Sequence, residues 1–497
     1  MKVTRGEAIK SFLWKYLERT SVQVMQLVIT IILARLLLPS EYGIIALIMV
    51  FIEISQVIVD AGFNTALIQK KDADNTDFST ILYFGLGASL VMYGIMFFCA
   101  PAIAAFYSQP ELMPVVRVLS IVLILHAVVA VQNAFVSRHL LFRKMFVCSF
   151  SSVLVSGAIG ILMAYRGYGV WALVAQMLLA QLVLSVIMWV VLDWRPKLTF
   201  SFERLKGLLN YGWKIFASSI IISIFVNIRK LVIGKFYTAS SLAFFERGDH
   251  FPRLIMSNVQ TSVQAVMFPV FAKEQDDRTR VKHILRRSTK MNCFIIYPLI
   301  MLLIVAAKPL ILFLLTEKWL PAVAFMQIFC IANFFRPITI PNLEAIKALG
   351  YSDITLKLEV IKKILDITIL VVSVFFGVYA IAWGIVLFNF LCVFINLYPN
   401  KKLLNYGISE QVADALPTLG ITLLTGGIVY WIQFLSLPLL VILIMQYVAG
   451  AALYLLICHL TKEESFAYLC EIARNKLAKK TPAGTAGPQA GQPGGEP

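Results

Sequence analysis

Apolar residues run in long stretches from Phe12 to His459, separated by short polar breaks. A bilayer-spanning helix needs about 20 mostly apolar residues. The pattern predicts spans at 11–37, 41–68, 78–106, 113–137, 143–165, 168–192 and 207–237. It continues with 241–271, 284–315, 321–346, 354–377, 379–398, 412–435 and 438–460, about fourteen helices in all. Transmembrane strands are about 10 residues long and alternate in polarity. These runs are longer and do not alternate, so the fold class is an all-α polytopic membrane protein.

The polar breaks carry an asymmetry. One set collects Lys2, Arg5, Lys10 and Lys15, then Lys70 and Lys71, then Arg138, Arg143 and Lys144. It goes on through Arg195–Lys206, Lys273–Lys290, Lys347–Lys363, Lys401–Lys402 and a tail from Lys462 to Lys480. The opposite breaks hold single cations such as Arg35, Arg117, Arg166, Lys235, Lys308 and Lys318. The positive-inside rule makes the rich side cytoplasmic, with both termini there and an even number of spans. Most of the net charge of +17 is then topological, and no nucleic-acid partner is called for.

Composition agrees. The 497 residues are 59% hydrophobic and 14% charged, against roughly 25% charged in soluble domains. The apolar stretch after Lys10 runs too long for a signal-peptide core and has no small-residue cleavage site, so it reads as the first span. The seven cysteines form no C-x-x-C pair and read as small hydrophobic residues. H-E-x-x-H and Walker A loops are absent, which argues against a metalloprotease or an ATPase. No break is long enough for a soluble catalytic domain, so the expectation is a non-enzyme without a cofactor.

The two halves resemble each other at an offset near 200. ILARLLLPSEYGIIAL at 32–47 lies against VIGKFYTASSLAFFER at 232–247 without a gap. APAIAAFYS at 100–108 lies against KPLILFLLT at 308–316, and RGYGVWALV at 166–174 against FFGVYAIAW at 375–383. The expected organisation is a six-helix lobe over 1–200, a second over 201–405, two additional helices over 406–462, and a cytoplasmic tail over 463–497, disordered from about 481. Parallel repeats put the substrate path between lobes near the midplane.

Ionisable residues at membrane depth are costly and face a cavity or a partner. At 100° per residue, the 241–271 span carries Glu246, His250, Arg253, Ser257, Gln260 and Gln264 within about 80°, with Asp249 at the edge. An Asp249–Arg253 pair at i,i+4 is the bland reading, but it leaves the lower residues unexplained. The first span carries Lys15, Arg19, Gln23, Gln26 and Thr30 on one face; the second carries Glu53, Gln56, Asp60 and Asn64. Pairing of the second-span acids with Arg19 is an equal alternative. The 321–346 span carries Asn333, Arg336 and Glu344, broken by Pro337 and Pro341. For His126 the expected role is a satisfied interior histidine. Arg19, Arg253 and Arg336 are the expected cations of a wet vestibule, helped by His250, Gln23 and Gln260. A guanidinium pairs bidentately with phosphate, so an anionic head group is the expected cargo. Arg229 and Lys230 lie nearer the outer end, where snorkelling to the interface competes. Glu53, Asp60, Asp249 and Glu344 are candidates for exchanging a proton or sodium ion. Pro252 is the favoured hinge within its span.

The chain resembles the Wzx-type oligosaccharide flippases, or polysaccharide exporters, of the multidrug/oligosaccharidyl-lipid/polysaccharide (MOP) superfamily. The resemblance rests on ARLLLPSEYGIIAL at 34–47, DAGFNTALIQKKD at 60–72, IGKFYTASSLAFFERGDHFPRLI at 233–255 and VMFPVFAKEQDD at 266–277. It continues in TEKWLPAVAFMQI at 316–328, NLEAIKALGYSD at 342–353 and LYPNKKLLNYG at 397–407. It implies two six-helix lobes plus two helices, a central cavity with basic residues, and export of undecaprenyl-diphosphate-linked sugar units by lobe rocking. By the same resemblance Arg247 and Pro252 fall on motif positions. Many members carry an acid near position 229, where this chain has Arg229, which argues against ion coupling there.

The expected function is a flippase for polyprenyl-diphosphate-linked oligosaccharides in a bacterial inner membrane. The expected protein is a monomer that works beside a polymerase and glycosyltransferases. The alternatives are a multidrug/cation antiporter of the same superfamily, which would want an acidic cavity, and a membrane glycosyltransferase or polymerase, which would want a large outer loop.

Overall fold

The computed structural model describes residues 5–70 and 72–471; the expected disorder from 481 lies outside them. Among the described residues the chain forms helices joined by short connections, without strands. In order the helices are α1 (Arg5–Leu36), α2 (Pro39–Asp60), α3 (Phe63–Gln69), α4 (Asn75–Phe106), α5 (Leu112–Leu119), α6 (Val122–His139), α7 (Phe142–Tyr165), α8 (Val170–Val191) and α9 (Phe202–Phe236). There follow α10 (Ala239–Lys273), α11 (Arg278–Val305), α12 (Ala307–Leu315), α13 (Pro321–Asn333), α14 (Arg336–Ala348), α15 (Ser352–Ser373), α16 (Val378–Leu404), α17 (Ile408–Tyr430) and α18 (Leu439–Leu460).

Among the described residues twelve candidate spans are long and apolar enough to cross a bilayer, and α13 with α14, bent by 41°, would make a thirteenth if the pair is one span. The fourteenth expected span is α15. It has the length, 22 residues, but Lys357, Glu359, Lys362, Lys363 and Asp366 make it too polar to qualify by composition. Lys362 and Asp366 are buried, so protein rather than solvent surrounds those charges.

Several predicted spans break where backbone chemistry dictates. Ala61 and Gly62 both adopt left-handed φ (42° and 74°) between α2 and α3. A side chain at Gly62 would come within 2.5 Å of the Gly212 carbonyl oxygen. Asp74 caps α4, accepting from the Asp77 amide at 3.0 Å, and Lys70 reaches Asp77 at 2.7 Å. Arg204 hydrogen-bonds Asp74 and holds its carboxyl below its ordinary value.

The internal repeat is visible in element boundaries. α1 ends at Leu36 and α2 begins at Pro39; α9 ends at Phe236 and α10 begins at Ala239, the same turn 200 positions on. The turn between α7 and α8 uses Gly167 at φ 81°, and that between α15 and α16 uses Gly377 at φ 108°, a conformation glycine adopts without steric cost.

The described chain divides into two compact units. One comprises the residues up to Phe251 with Leu310–Met326 and Ile367–Gly384; the other comprises Pro252–Pro309, Gln327–Asp366 and the residues from Ile385 on. In the first, α7 packs on α1 and α8, α4 on α6, and α2 on α9. In the second, α11 packs on α14 and α17, and α17 on α18. Buried amides tie the second unit together. Asn342 donates to Gln411 at 2.7 Å, Asn400 donates to Asn342 at 2.6 Å, and Gln411 donates to the Tyr406 carbonyl at 3.0 Å. Residues 464–471 are helical, and Phe466 lies against Phe294, so the tail expected from 463 begins as packed structure.

Gly43 packs closely, since a side chain there would stand 2.0 Å from the Ala239 carbonyl oxygen, whereas Gly94 has nothing within 4 Å. Backbone cannot yield as a side-chain tip can. Gly43→Ala is expected to cost about 1–3 kcal/mol of stability, seen as a lowered thermal midpoint in detergent, with Gly94→Ala unchanged or slightly raised.

Candidate functional site

In the first unit the polar faces of α2, α9 and α10 meet at Lys230. Its ammonium lies 3.8 Å from Glu53 Oε2 and 3.9 Å from Glu246 Oε2, and its side chain is only 13% exposed. Lys230 therefore turns inward between two carboxylates instead of snorkelling. Asp60, at the α2–α3 break, stands 3.1 Å from His126 Nε2 and accepts from Asn64 at 3.2 Å. The expected satisfied histidine is thus the partner of an expected coupling acid. Asp249 and His250 are half-buried on α10, with His250 edge-on to Phe251. On α1, Arg19 is exposed and Gln23 half-buried. Below them Lys15 pairs with Glu18 at 2.9 Å.

In the second unit the lower stripe of α10 meets α14. Arg336 donates to Gln260 Oε1 at 3.1 Å, and Gln264 donates to Glu344 at 3.3 Å. Glu344, 5% exposed, also takes Lys347 at 3.0 Å. Arg336 opens α14 at the bend after α13, where the chain break frees it to reach α10. Arg253 is exposed and Pro252 buried. The boundary between the two units falls within α10, between Phe251 and Pro252. Proline lacks the N–H that would bond four residues back.

Sequence reasoning missed one constellation. At the α1–α2 and α9–α10 turns, Trp319 donates to the Ala34 carbonyl at 2.9 Å, Arg35 Nε to Leu314 at 2.9 Å, and Lys318 to Arg35 at 3.3 Å. The Arg247 guanidinium lies 4.4 Å from the ring centre of Tyr42 and 5.5 Å from that of Trp319. Phe244 closes edge-on to Trp319. Glycine at 234 admits Leu47 and Tyr107, and glycine at 248 admits Phe325 and Met326. The available signal was TEKW at 316–319, a tryptophan between two charged residues and a proline in an otherwise apolar region.

The fold is shared with solved transporters. The chain is similar to a structure titled lipid II flippase MurJ, inward closed conformation, with a TM-score of 0.72 at 13% identity, covering 91% of this chain and 99% of that one. It is also similar to an inward-facing multidrug resistance MATE family transporter of the MOP superfamily, with a TM-score of 0.56 at 16% identity, covering 79% of this chain and 96% of that one. The molecule is thus a multi-pass helical membrane protein with the MOP fold.

Within that class, the model of the polysaccharide biosynthesis protein family matches residues 32–324, more than half of the chain, and the chain belongs to that family. Among named relatives, the teichuronic acid biosynthesis protein TuaB of Bacillus subtilis is 25% identical over 60% of this chain. The succinoglycan biosynthesis transport protein ExoT of Rhizobium meliloti is 26% identical over 62% of it. The chain spans 62% of the length of each. The lipopolysaccharide biosynthesis protein WzxC of Escherichia coli is 24% identical over 88% of this chain and 87% of its own length.

Cation–π contacts contribute about 0.5–2 kcal/mol. A double-mutant cycle of Arg247→Ala and Trp319→Ala, read by thermal unfolding in detergent, is expected to show coupling in that range; strictly additive losses would remove the stacking from the account.

Proposed function

We propose that this protein is a flippase that moves polyprenyl-diphosphate-linked oligosaccharides across a bacterial cytoplasmic membrane for surface polysaccharide synthesis, without catalysing a covalent step. The observation that carries the proposal is the line of polar and ionisable side chains at membrane depth where α10 meets α14: Gln260, Gln264, Arg336 and Glu344. Such residues face protein or a wet path, never lipid. Membership in the polysaccharide biosynthesis family supplies the sugar. A cargo with a diphosphate between sugar and lipid needs cations held among apolar helices, and Arg253 and Arg336 are assigned to it. Gln260 orients the Arg336 guanidinium for bidentate contact. Arg19, Arg247, His250 and Gln23 stand as further contacts on their own helices.

Transport proceeds by alternating access. The contacts at the α1–α2 and α9–α10 turns part when the outer end opens. They are hydrogen bonds to carbonyls and cation–π stacks, each weaker than the cost of breaking a buried ion pair. Pro252 is the bending point of α10, supported by the change of compact unit at that residue. Net direction comes from a proton or sodium gradient or from downstream consumption. Glu53, Asp60, Asp249 and Glu344 are the assigned exchange groups. Asp60 with His126 is a carboxylate–imidazole pair of the kind that relays protons through transporters. Both termini are assigned to the cytoplasm, a reading supported by the charge bias of the loops. The protein acts as a monomer beside the glycosyltransferases and polymerase that make and consume its cargo.

A hydrogen bond to a charged group contributes about 1.5–3 kcal/mol. Arg253→Ala and Arg336→Ala are each expected to lower flipping of labelled polyprenyl-diphosphate sugar in proteoliposomes about tenfold or more. Uptake of cationic dyes should be absent. Full flipping in both variants, or dye antiport at comparable rate, overturns the assignment.

A further inference from the structure

α11 changes character along its length. Arg278 to Lys290 is rich in Lys and Arg, and Met291 to Val305 is apolar. The last turns before the change form one wall of a cavity of about 590 Å³. The other wall is the segment after α18, through Glu464, Ser465 and Tyr468. All of these residues belong to the second compact unit, and the volume is in the ordinary range of ligand sites, about 300–1,000 Å³.

Four basic side chains line it: His283, Arg286, Arg287 and Lys290. Carboxylates answer part of that charge. Lys290 lies 3.3 Å from Asp414 and 2.5 Å from Glu464, and Arg286 Nη2 lies 2.7 Å from Asp414. Glu410 adds a third carboxylate, 3.8 Å from Arg286 Nη1. Arg286 Nε is buried without an acceptor. Arg287 stacks on the Tyr468 ring at 3.3 Å from its centre. Neither Arg287 nor His283 makes an ion pair among the described residues. A buried N–H without an acceptor costs about 1–3 kcal/mol, a cost that an oxygen-rich anion would remove. Ile284 and Met291 complete the lining, so an anion seated here has an apolar neighbour on the span side.

We propose that this cavity binds the phosphate of an anionic phospholipid head group in the leaflet on the Lys/Arg-rich side. The shared chemistry is a negatively charged phosphate with at least two non-bridging oxygens. The depth favours a lipid source, since the cavity sits where α11 passes from charged to apolar sequence, and basic pockets at such places bind lipid head groups. Arg287 and His283 contact the phosphate, and Arg286 Nε donates to it. Binding ties the 464–471 helix to α11.

The test uses the full chain, purified in detergent and titrated with dioleoyl phosphatidylglycerol, dioleoyl phosphatidylcholine or inorganic phosphate under native mass spectrometry. Phosphatidylglycerol is expected to bind about tenfold more tightly than phosphatidylcholine. Arg287→Ala is expected to weaken it about fivefold or more while leaving the Arg286–Asp414–Lys290 cluster intact, and Arg287→Lys should recover part of the loss. Arg143→Ala, a basic residue on α7, should change nothing. If Arg287→Ala does not fold, His283→Ala carries the same comparison. Equal binding of both lipids overturns the proposal, as does wild-type affinity in both alanine variants. Displacement of phosphatidylglycerol by equimolar inorganic phosphate would reassign the site to a soluble phosphate and overturn the lipid source.

Discussion

A bilayer interior offers a charge no water and no hydrogen-bond partner, so each ionised group among the spans has to find its answer in the protein. An unanswered buried charge costs several kcal/mol, and breaking a buried pair costs about 3–5 kcal/mol. That constraint organises α2, α9 and α10 around Lys230, which reaches Glu53 and Glu246 at once. It brings Asp60 at the α2–α3 break to His126 of α6. In the second unit it joins α10 to α14 through Gln260–Arg336 and Gln264–Glu344. The pairs function as registers: a helix turned by one residue would carry its partner round by 100° and leave a charge facing hydrocarbon.

A different physics governs the turns at Leu36–Pro39 and Phe236–Ala239. There glycine at 43 lets the Ala239 backbone come close, and glycine at 234 admits the Leu47 and Tyr107 side chains. The side-chain contacts are hydrogen bonds to carbonyls and the stacking of Arg247 between Tyr42 and Trp319. Each of these contributes about 0.5–3 kcal/mol, against about 3–5 kcal/mol for breaking a buried ion pair. The stronger pairs thus hold helix faces together, and the weaker contacts gather near these two turns.

α17 and α18 are packed into the second unit. α17 is fixed to α14 and α16 by the Gln411–Asn342–Asn400 amides. Asp414 gathers Arg286, Lys290 and the Tyr406 hydroxyl, the last at 2.8 Å. Asn400 Oδ1 and Arg286 Nε stay without a partner, but the Asp414 cluster and the Lys290–Glu464 pair couple α11, the cavity beside it and the 464–471 helix into a single structural neighbourhood.

The pattern of apolar runs determined the polar stripe of α10 and the spans other than α15. Those properties follow from the 3.6-residue period and from the cost of polar groups in lipid, both of which act locally. Sequence could not say what each stripe faces. Lys230 looked like an outer-interface residue and became the centre of an ion-pair triad. Arg247 sat on a motif and stacked on a tryptophan 72 positions away. α15 read as an ordinary span, yet it carries buried Lys362 and Asp366. Periodicity fixes a side chain's angle about its own helix axis, whereas its partner depends on which other helix packs there, and only the tertiary structure decides that.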